Sequence, residues 1–270
     1  MRMEKLSKVK QLLQVEDCAA VAFSGGADSA LLLCLAVEAL DRDKVLALTA
    51  RAPVFPQSET NDTAIFAQSL SVKHLFCDVD VLAIEGFAQN PKNRCYICKK
   101  HLMSLLQKNA CDNGYPVLFE GSNADDLQDY RPGHAAIQEL GIRSPLQEAG
   151  LTKAEIRQAL AERELAVAHK PAMACLATRV PYGQTITAPL LYQIEQAEDF
   201  LHNLGFSQVR ARVQTSGENT DIRIELLPEQ FPSAIQTGVC EKIYTHCIQV
   251  GFTNVSLDLQ GYRMGGGANP

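Results

Sequence analysis

The sequence predicts an α/β fold in which a parallel sheet carries helices on both faces. Short apolar runs have the length of buried strands, and they fall at 19–23, 45–50, 72–77 and 116–120. Segments with helical periodicity separate them, starting near Asp28 and covering 58–70 and 94–110. Because strands that alternate with helices form βαβ units, we expect a Rossmann-like domain with ligands bound beyond the carboxyl ends of its strands.

The remaining chain predicts a second, smaller α+β domain. A capping box at 152–155 starts one more helix, after which 166–187 has no clean period and contains two prolines. Further elements are then expected: a helix over 188–204, paired strands over 207–213 and 221–227, helical pattern within 232–250 and a strand over 254–259. We therefore expect a sheet domain over 1–170, a linker or active-site loop over 171–187 and the smaller domain over 188–270.

Composition narrows the class of protein. A hydrophobic content of 46% and a charged content of 21% are ordinary for a globular chain. The longest apolar run, 30–37, is too short to cross a bilayer, so we expect a cytoplasmic protein without membrane contact. The net charge of −6 argues against a nucleic-acid partner, since phosphates are normally met by a basic surface. Nine cysteines in such a chain favour metal or thiol chemistry over disulfides.

The segment Ser24-Gly25-Gly26-Ala27-Asp28-Ser29 joins the first strand to the helix that follows it. Two glycines let the backbone approach an anion closely, while the serine hydroxyls and the helix N-terminus offer donors. Asp28 would repel a phosphate unless Mg²⁺ lay between them. The loop lacks the lysine of the Walker sequence, and a capped turn is the structural alternative. We expect a site for pyrophosphate and Mg²⁺.

Other polar residues follow the ends of neighbouring strands. Arg51 follows the second strand and Gly121 the fourth, so both are candidates for nucleotide binding. The aspartates within 121–126 suit Mg²⁺ or a cationic group, although an Asx-capped turn explains the same residues. Arg131 offers a guanidinium that could clamp a phosphate or a carboxylate.

Three cysteines form the second candidate site. Cys95 and Cys98 are separated by two residues, the spacing of a metal pincer, and Cys175 on the irregular stretch is the best third ligand. Three thiolates suit an iron–sulfur cluster with one open iron. A zinc site is an alternative, with His101 or Cys111 as the fourth ligand. Ordinary structural thiols are the remaining interpretation.

Two arginines in the second domain form a third candidate site. Arg210 and Arg212 share one face of a strand, and paired guanidiniums suit an anionic substrate. Glu195, Glu198 and Glu225 lie on the neighbouring helix and strand. Without further support, a solvated charged face explains this pattern better.

Taken together, these motifs resemble a known family. The glycine loop resembles that of the PP-loop pyrophosphatases, which split ATP into AMP and pyrophosphate. The string Cys-Leu-x-x-Arg-x-Pro-Tyr-Gly over 175–183 and the closing segment 257–265 are similar to those of ATP-dependent sulfur transferases. Those enzymes make the nickel-pincer nucleotide cofactor of lactate racemase from pyridinium biscarboxylic acid mononucleotide.

The resemblance implies a function and its cofactors. The loop over 24–29 would bind ATP, with Asp28 as a catalytic residue, and a substrate carboxylate would be adenylated. Cys175 would then supply sulfur. In some members the single cysteine gives up its own sulfur, whereas in others three cysteines hold a [4Fe-4S] cluster. Because this chain has Cys95, Cys98 and Cys175, it resembles the cluster type.

The resemblance also implies a small nucleotide substrate and a homo-oligomer. The matching substrate-binding residues are Arg131, Arg179, Arg210, Arg212, Glu198 and Glu225. Where the family often has histidines after the second arginine of the strand pair, this chain has Val213 and Gln214, so its substrate can differ.

Two other functions remain open at this point. A tRNA thiolase can also use three cysteines, but the acidic chain and the absence of an RNA-binding extension argue against it. A non-catalytic nucleotide- or metal-binding protein would leave the cysteines and arginines without a shared purpose. Pyrophosphate release separates this last class from the enzymes.

Overall fold

The computed structural model describes residues 2–127, 132–171, 174–216 and 219–263. They form two compact units, Met1–Ile84 with Asn93–Met173 and Glu85–Lys92 with Ala174–Pro270. The expected division at residues 170 and 187 stays a prediction. The structure adds one feature that local pattern does not indicate, which is the grouping of Glu85–Lys92 with the later part of the chain.

The first unit is built on the expected parallel sheet. Its strands are β1 (Ala19–Ala22), β2 (Val45–Arg51), β3 (Lys73–Asp78) and β4 (Leu118–Phe119). They lie in the order β3-β2-β1-β4, and every pairing is parallel. The chain therefore moves outward from β1 in one direction and later returns to pair β4 on its other side. This reversal leaves a crevice at the carboxyl ends of β1 and β4.

Helices cover both faces of this sheet, as the sequence predicts. They are α1 (Arg2–Leu13), α2 (Ala27–Leu40), α3 (Gln57–Ser69), α4 (Arg94–Asp112), α5 (Pro132–Glu139), α6 (Pro145–Glu148) and α7 (Lys153–Ala161). One core holds buried residues of α1, α2 and α7, and the other holds those of α4 and α5. The Rossmann-like fold class is confirmed.

Strand β1 shows why the apolar runs predicted buried strands. Ala19 and Val21 enter the core with α2, while Ala20 and Ala22 enter the core with α4. Side chains of a strand alternate between faces, so a strand covered on both sides must be apolar at every position. Burying each large aliphatic side chain of these cores stabilises the unit by about 1.5–3 kcal/mol.

The second unit has the α+β organisation expected from its pattern. Its main elements are α8 (Ala188–Asn203), β5 (Arg210–Ser216), β6 (Asn219–Glu225), α9 (Phe231–Ala234), α10 (Thr237–Gln249) and β7 (Val255–Leu257). Strands β5 and β6 form the expected antiparallel pair, and β7 adds to β6 in parallel. The apolar face of the pair, including Val213 and Ile222, is buried, and Ile194 and Leu201 of α8 are buried as well.

No helix within the described residues is both long and apolar enough to cross a membrane.

The N-terminus of α7 provides a test of local stability. Thr152 accepts a hydrogen bond from the backbone N–H of Glu155, whose carboxylate accepts in return from the N–H of Thr152. We expect Thr152→Ala to lower the free energy of unfolding by about 1 kcal/mol, because one N–H of the first turn loses its acceptor. Urea unfolding followed by circular dichroism measures this change. Thr253→Ala is the control, since Thr253 is exposed on a turn; an equal loss in both variants would contradict the capping role.

Candidate functional site

The glycine loop lies at the carboxyl end of β1, in the crevice beside β4. Gly25 has a φ of +76°, a conformation that favours glycine, and a Cβ there would lie 2.9 Å from Cγ2 of buried Thr63. Gly26 is the N-cap of α2 and provides no side-chain cap. The cap residue therefore occupies none of the first N–H groups of α2, and the start of a helix is a common place for an anion to bind.

The two serines of the loop bind each other and the backbone. Ser29 Oγ accepts from the N–H of Ser24 at 3.2 Å, lies 3.2 Å from Ser24 Oγ and donates to the carbonyl of Gly26 at 3.1 Å. These bonds close the loop into a small ring. The structure therefore brings the expected residues Ser24, Gly25, Gly26 and Ser29 together in a preformed turn.

Asp28 has an environment that fits a cation. Its Oδ2 accepts from Lys153 Nζ at 2.6 Å, while its buried Oδ1 makes no hydrogen bond of good geometry. Burial raises the pKa of the Asp28 carboxyl, an effect that Lys153 opposes and Asp126 reinforces. The Asn123 side chain also opposes the rise of this pKa. A carboxylate oxygen that accepts no well-aligned hydrogen bond is a suitable ligand for Mg²⁺, which keeps several waters and needs few protein ligands. The residues present therefore fit the expected magnesium.

Gly121 approaches the same loop from β4. A Cβ on Gly121 would lie 2.9 Å from the backbone nitrogen and 3.1 Å from the Cα of Ser29. Only glycine allows two backbone segments to come this close without displacement. Gly121 thus lies in direct contact with the glycine loop, and its role in nucleotide binding stays a prediction.

Glu120 connects this crevice with the helix that carries two of the cysteines. It is buried, accepts from the N–H of Ser122 at 2.9 Å and from the hydroxyl of Ser144, and lies 3.5 Å from Lys99 Nζ. Burial opposes its ionisation, but Lys99 and the two serines together lower the pKa of Glu120 below its usual value. Lys99 follows Cys98 on α4, so the cysteine pair and the glycine loop share one edge of the first unit.

Cys95 lies in the first turn of α4 and Cys98 one helical turn further on, so the two are on the same face. Cys95 is exposed, and none of the nine cysteines is in a disulfide. Two thiols of this kind, close to Lys99, fit a soft metal centre. Cys175 belongs to the other unit. Within the described part of the chain, no three metal-ligating side chains are already gathered into one group.

Arg51 lies at the expected edge but is paired within the protein. Its guanidinium binds both carboxylate oxygens of exposed Asp78 at 2.8 Å and lies 4.6 Å from the ring centre of Phe76. Its role in nucleotide binding stays a prediction. Arg131 falls outside the described residues.

Cys175 begins a short 3₁₀ turn, Leu176–Arg179, in the second unit. Arg179 donates from Nη1 to the carbonyl oxygens of Ala174 at 2.8 Å and Cys175 at 3.1 Å. Its Nε and Nη2 bind the carboxylate of Glu198 on α8 at 2.8 and 2.7 Å, and both side chains are buried. The expected residues Cys175, Arg179 and Glu198 are thus joined by direct contacts.

A second buried ion pair lies beside the first. Arg212 Nε binds Glu225 at 2.6 Å, and its Nη1 donates to the carbonyl of Thr178 at 3.0 Å. Arg210 is buried with its guanidinium 5.0 Å from the ring centre of Tyr262. Burial lowers the pKa of Arg210, and the nearby positive charge of Arg179 acts in the same direction. The solvated charged face that the pattern alone favoured is therefore wrong, because these side chains are inside the unit.

Sequence reasoning missed several residues of the site, above all Lys153. The sequence did contain a signal for Lys153, because this lysine directly follows the N-cap residue of α7. The capping box was interpreted only as a structural feature. The buried Glu120 and its partner Ser144 were also missed. Their contact joins β4 to the start of α6, and no local spacing indicates it.

The first unit matches the family model for NAD synthase over residues 6–109. A glycine loop after the first strand of a parallel sheet, together with this match, defines a nucleotide-binding enzyme of the PP-loop class. An uncharacterized protein of Synechocystis sp. is 39% identical over 261 residues, which is 97% of this chain and 96% of that protein.

A named relative defines the family further. The pyridinium-3,5-bisthiocarboxylic acid mononucleotide synthase of Lactiplantibacillus plantarum is 34% identical over 245 residues, or 91% of this chain and 87% of that enzyme. An uncharacterized protein of Methanocaldococcus jannaschii is 28% identical over 243 residues, 90% of each chain. The chain belongs to the family of this synthase, the PP-loop sulfur transferases of nickel-pincer nucleotide biosynthesis.

The contact between Gly121 and Ser29 gives a prediction about the loop. We expect Gly121→Ala to lower the free energy of unfolding by about 1–3 kcal/mol, because the added methyl meets backbone atoms that cannot rotate away. Urea unfolding measures the loss. Gly26→Ala is the matched control, since the nearest atom to its Cβ would be Ser24 Oγ at 3.6 Å. Equal stability of the Gly121→Ala variant and the wild type would contradict the close approach.

Proposed function

We propose that this protein is an ATP-dependent sulfur transferase that activates a carboxylate of pyridinium biscarboxylic acid mononucleotide and replaces its oxygen with sulfur. The observation that carries the proposal is the 34% identity, over most of both chains, to an enzyme named for the bisthiocarboxylic product. The preformed glycine loop and the cysteine beside two buried ion pairs support it independently.

The first step takes place at the glycine loop. A carboxylate oxygen of the substrate attacks the α-phosphorus of ATP, and the bond to the β-phosphate oxygen breaks. The products are an acyl-adenylate and pyrophosphate. The N–H groups at the start of α2 would bind the phosphate chain, and Lys153 would balance its charge. Bound at Asp28, Mg²⁺ would supply the remaining charge neutralisation.

The second step uses Cys175 as the nucleophile. Its thiolate attacks the activated carbonyl carbon, and the bond to AMP breaks, because AMP is a far better leaving group than hydroxide. Removal of the Cα proton of Cys175 and cleavage of its Cβ–S bond would then give a thiocarboxylate and dehydroalanine. No oxidant or reductant is needed in this sequence of bonds.

A [4Fe-4S] cluster held by Cys95, Cys98 and Cys175 is the alternative source of sulfur. The pair on α4 fits such a centre by ligand type and spacing, with all three thiols outside disulfides. Such a cluster would supply an open iron at which a sulfide for transfer binds. A zinc site with His101 or Cys111 remains the competing metal proposal.

The anionic groups of the substrate need positive charge in the second unit. Arg210 is the leading candidate there, and Arg131 and Arg212 are also proposed substrate ligands, whereas the guanidinium of Arg179 is bound by Glu198 and by backbone carbonyls. Glu198 and Glu225 are proposed to act near the same groups, and Arg51 near the nucleotide. A homo-oligomer and a cytoplasmic location complete the proposal, and neither is needed for the chemistry above.

A tRNA thiolase is the second candidate within the same class. It would explain the cysteines and the ATP loop equally well, but the chain carries 25 basic against 31 acidic side chains. Salt-dependent binding of tRNA would favour this candidate. Nucleotide binding without turnover would favour the non-catalytic alternative.

Anaerobic incubation with ATP, Mg²⁺ and the pyridinium mononucleotide tests the reaction. We expect AMP, pyrophosphate and a thiocarboxylate product, identified by mass spectrometry. Cys175→Ser should stop thiocarboxylate formation while AMP formation continues, because activation precedes sulfur transfer. Cys240→Ser is the control, since Cys240 is exposed on α10. Absence of ATP cleavage with this substrate would contradict the proposal.

Reconstitution with iron and sulfide tests the cluster. We expect visible absorption typical of a [4Fe-4S] centre, which Cys95→Ala, Cys98→Ala or Cys175→Ala should each remove. Cys240→Ala should leave the spectrum unchanged. If all three variants keep the centre, these cysteines are not its ligands. In the wild type, loss of the elements of hydrogen sulfide from Cys175 during turnover would identify the cysteine itself as the donor.

A further inference from the structure

Arg179 makes its hydrogen bonds within the protein, to Glu198 and to the backbone carbonyls next to Cys175. Its five N–H donors are largely used, through Nε and Nη2 by Glu198 and through Nη1 by the carbonyls of Ala174 and Cys175 and the hydroxyl of Thr178. The residue is 1% exposed. An arginine in this state has little surface to offer a substrate.

The carbonyl of Cys175 is the point on which these bonds converge. It accepts from the N–H of Thr178 at 3.0 Å, from Thr178 Oγ1 at 2.8 Å and from Arg179 Nη1 at 3.1 Å. Arg212 holds the far end of the same turn through the carbonyl of Thr178. The backbone that carries the thiol is therefore fixed at both ends.

Glu198 anchors this arrangement to the rest of the unit. Besides Arg179, its Oε1 accepts from the backbone N–H of Ala211 on β5 at 2.8 Å. Removing two charges from water costs so much that a buried ion pair adds little net stability. What the pair provides is geometry, because a guanidinium and a carboxylate joined by two bonds have one favoured orientation.

We propose that Arg179 and Glu198 are positioning residues that hold the Cys175 turn so that its thiol meets the activated carboxyl carbon. This inference rests on the proposed function of Cys175 as the sulfur-transferring residue. Arg179 acts through the backbone of residues 174 and 175, whereas direct substrate binding falls to other arginines. A nucleophile must be held close to its target, and a misplacement of about 1 Å can cost about 100-fold in rate.

Arg179→Lys is the main test, because lysine keeps the charge but loses the two-bond contact with Glu198. We expect kcat for sulfur transfer to fall about 10- to 100-fold. The KM for the pyridinium mononucleotide and the rate of AMP formation should be unchanged. A raised KM with unchanged kcat would show that Arg179 binds the substrate, and unchanged kinetics would show that the pair positions nothing; either result overturns the inference.

Arg163→Lys is the matched control. Arg163 also binds a carboxylate, that of Glu38, and donates to a backbone carbonyl, that of Ala159, but it lies in the first unit and is part-exposed. We expect its kinetics to equal those of the wild type. A loss of sulfur transfer as large as that of Arg179→Lys would mean that any weakened arginine pair has this effect, and would overturn the inference.

A milder variant covers the case in which Arg179→Lys does not fold. Thr178→Val removes one donor to the carbonyl of Cys175 and one acceptor of Arg179, while the ion pair remains. We expect a smaller loss in kcat, again without a change in KM, and recovery in Thr178→Ser, which restores the hydroxyl. Failure of serine to restore the rate would overturn the inference.

Alkylation separates this inference from the proposed function. Iodoacetamide labelling of the wild type and Arg179→Lys, followed by peptide mass spectrometry, reports the reactivity of Cys175 without any substrate. We expect severalfold faster labelling of Cys175 in the variant, with exposed Cys240 as the unchanged internal reference. Equal labelling of Cys175 would overturn the positioning role, whereas a wild type that cleaves no ATP would overturn only the proposed function.

Discussion

The close approach between the loops after β1 and β4 is the contact on which the rest of the first unit depends. Gly121 can lie against the first turn of α2 only because it has no side chain. The strand order places these two loops side by side, since the chain changes direction in the sheet between β1 and β4. The position of the glycine loop beside buried Glu120, and the salt bridge from Glu120 to Lys99, both follow from that order.

In the second unit, buried ion pairs rather than a close glycine contact hold the candidate site in place. Two arginine–glutamate pairs are buried beneath a short turn, and Glu225 keeps one carboxylate oxygen without a hydrogen-bond partner. Such groups are costly inside a protein, so their orientation has to be held by several neighbours at once. These neighbours also fix the backbone at Cys175, because the same guanidiniums donate to the carbonyls of Cys175 and Thr178.

The sequence predicted those parts of the fold and the site that depend on residues close together in the chain. It did not predict the contacts between residues far apart in the chain. The strands were predictable because a doubly covered parallel strand is apolar at every position, as β1 illustrates. The loop over 24–29 was predictable because its glycines and serines act locally. By contrast, Asn90 joins the second unit through hydrogen bonds to the carbonyls of Val180 and Pro181, some 90 positions away in the sequence. Nothing local indicates such a contact.

The arginines show that sequence spacing also does not predict what a candidate functional side chain contacts. A spacing of two placed Arg210 and Arg212 on one face of a strand, and the register of β5 with β6 agrees. Spacing does not determine whether a guanidinium faces a ligand, a carboxylate or a backbone carbonyl. That choice depends on tertiary neighbours such as Glu198 on α8, and for Arg179 the backbone carbonyls and Glu198 take nearly every donor.

Helix α7 connects two parts of the first unit that are far apart in the sequence. Its first residue, Lys153, binds Asp28 of the glycine loop, and Arg157 in its second turn donates to the carbonyls of Ala168 and Lys170. One helix of nine residues therefore links the glycine loop to the backbone at Ala168 and Lys170. A change of counter-ion at Asp28 would therefore act on the backbone at Ala168 and Lys170 through a single helix.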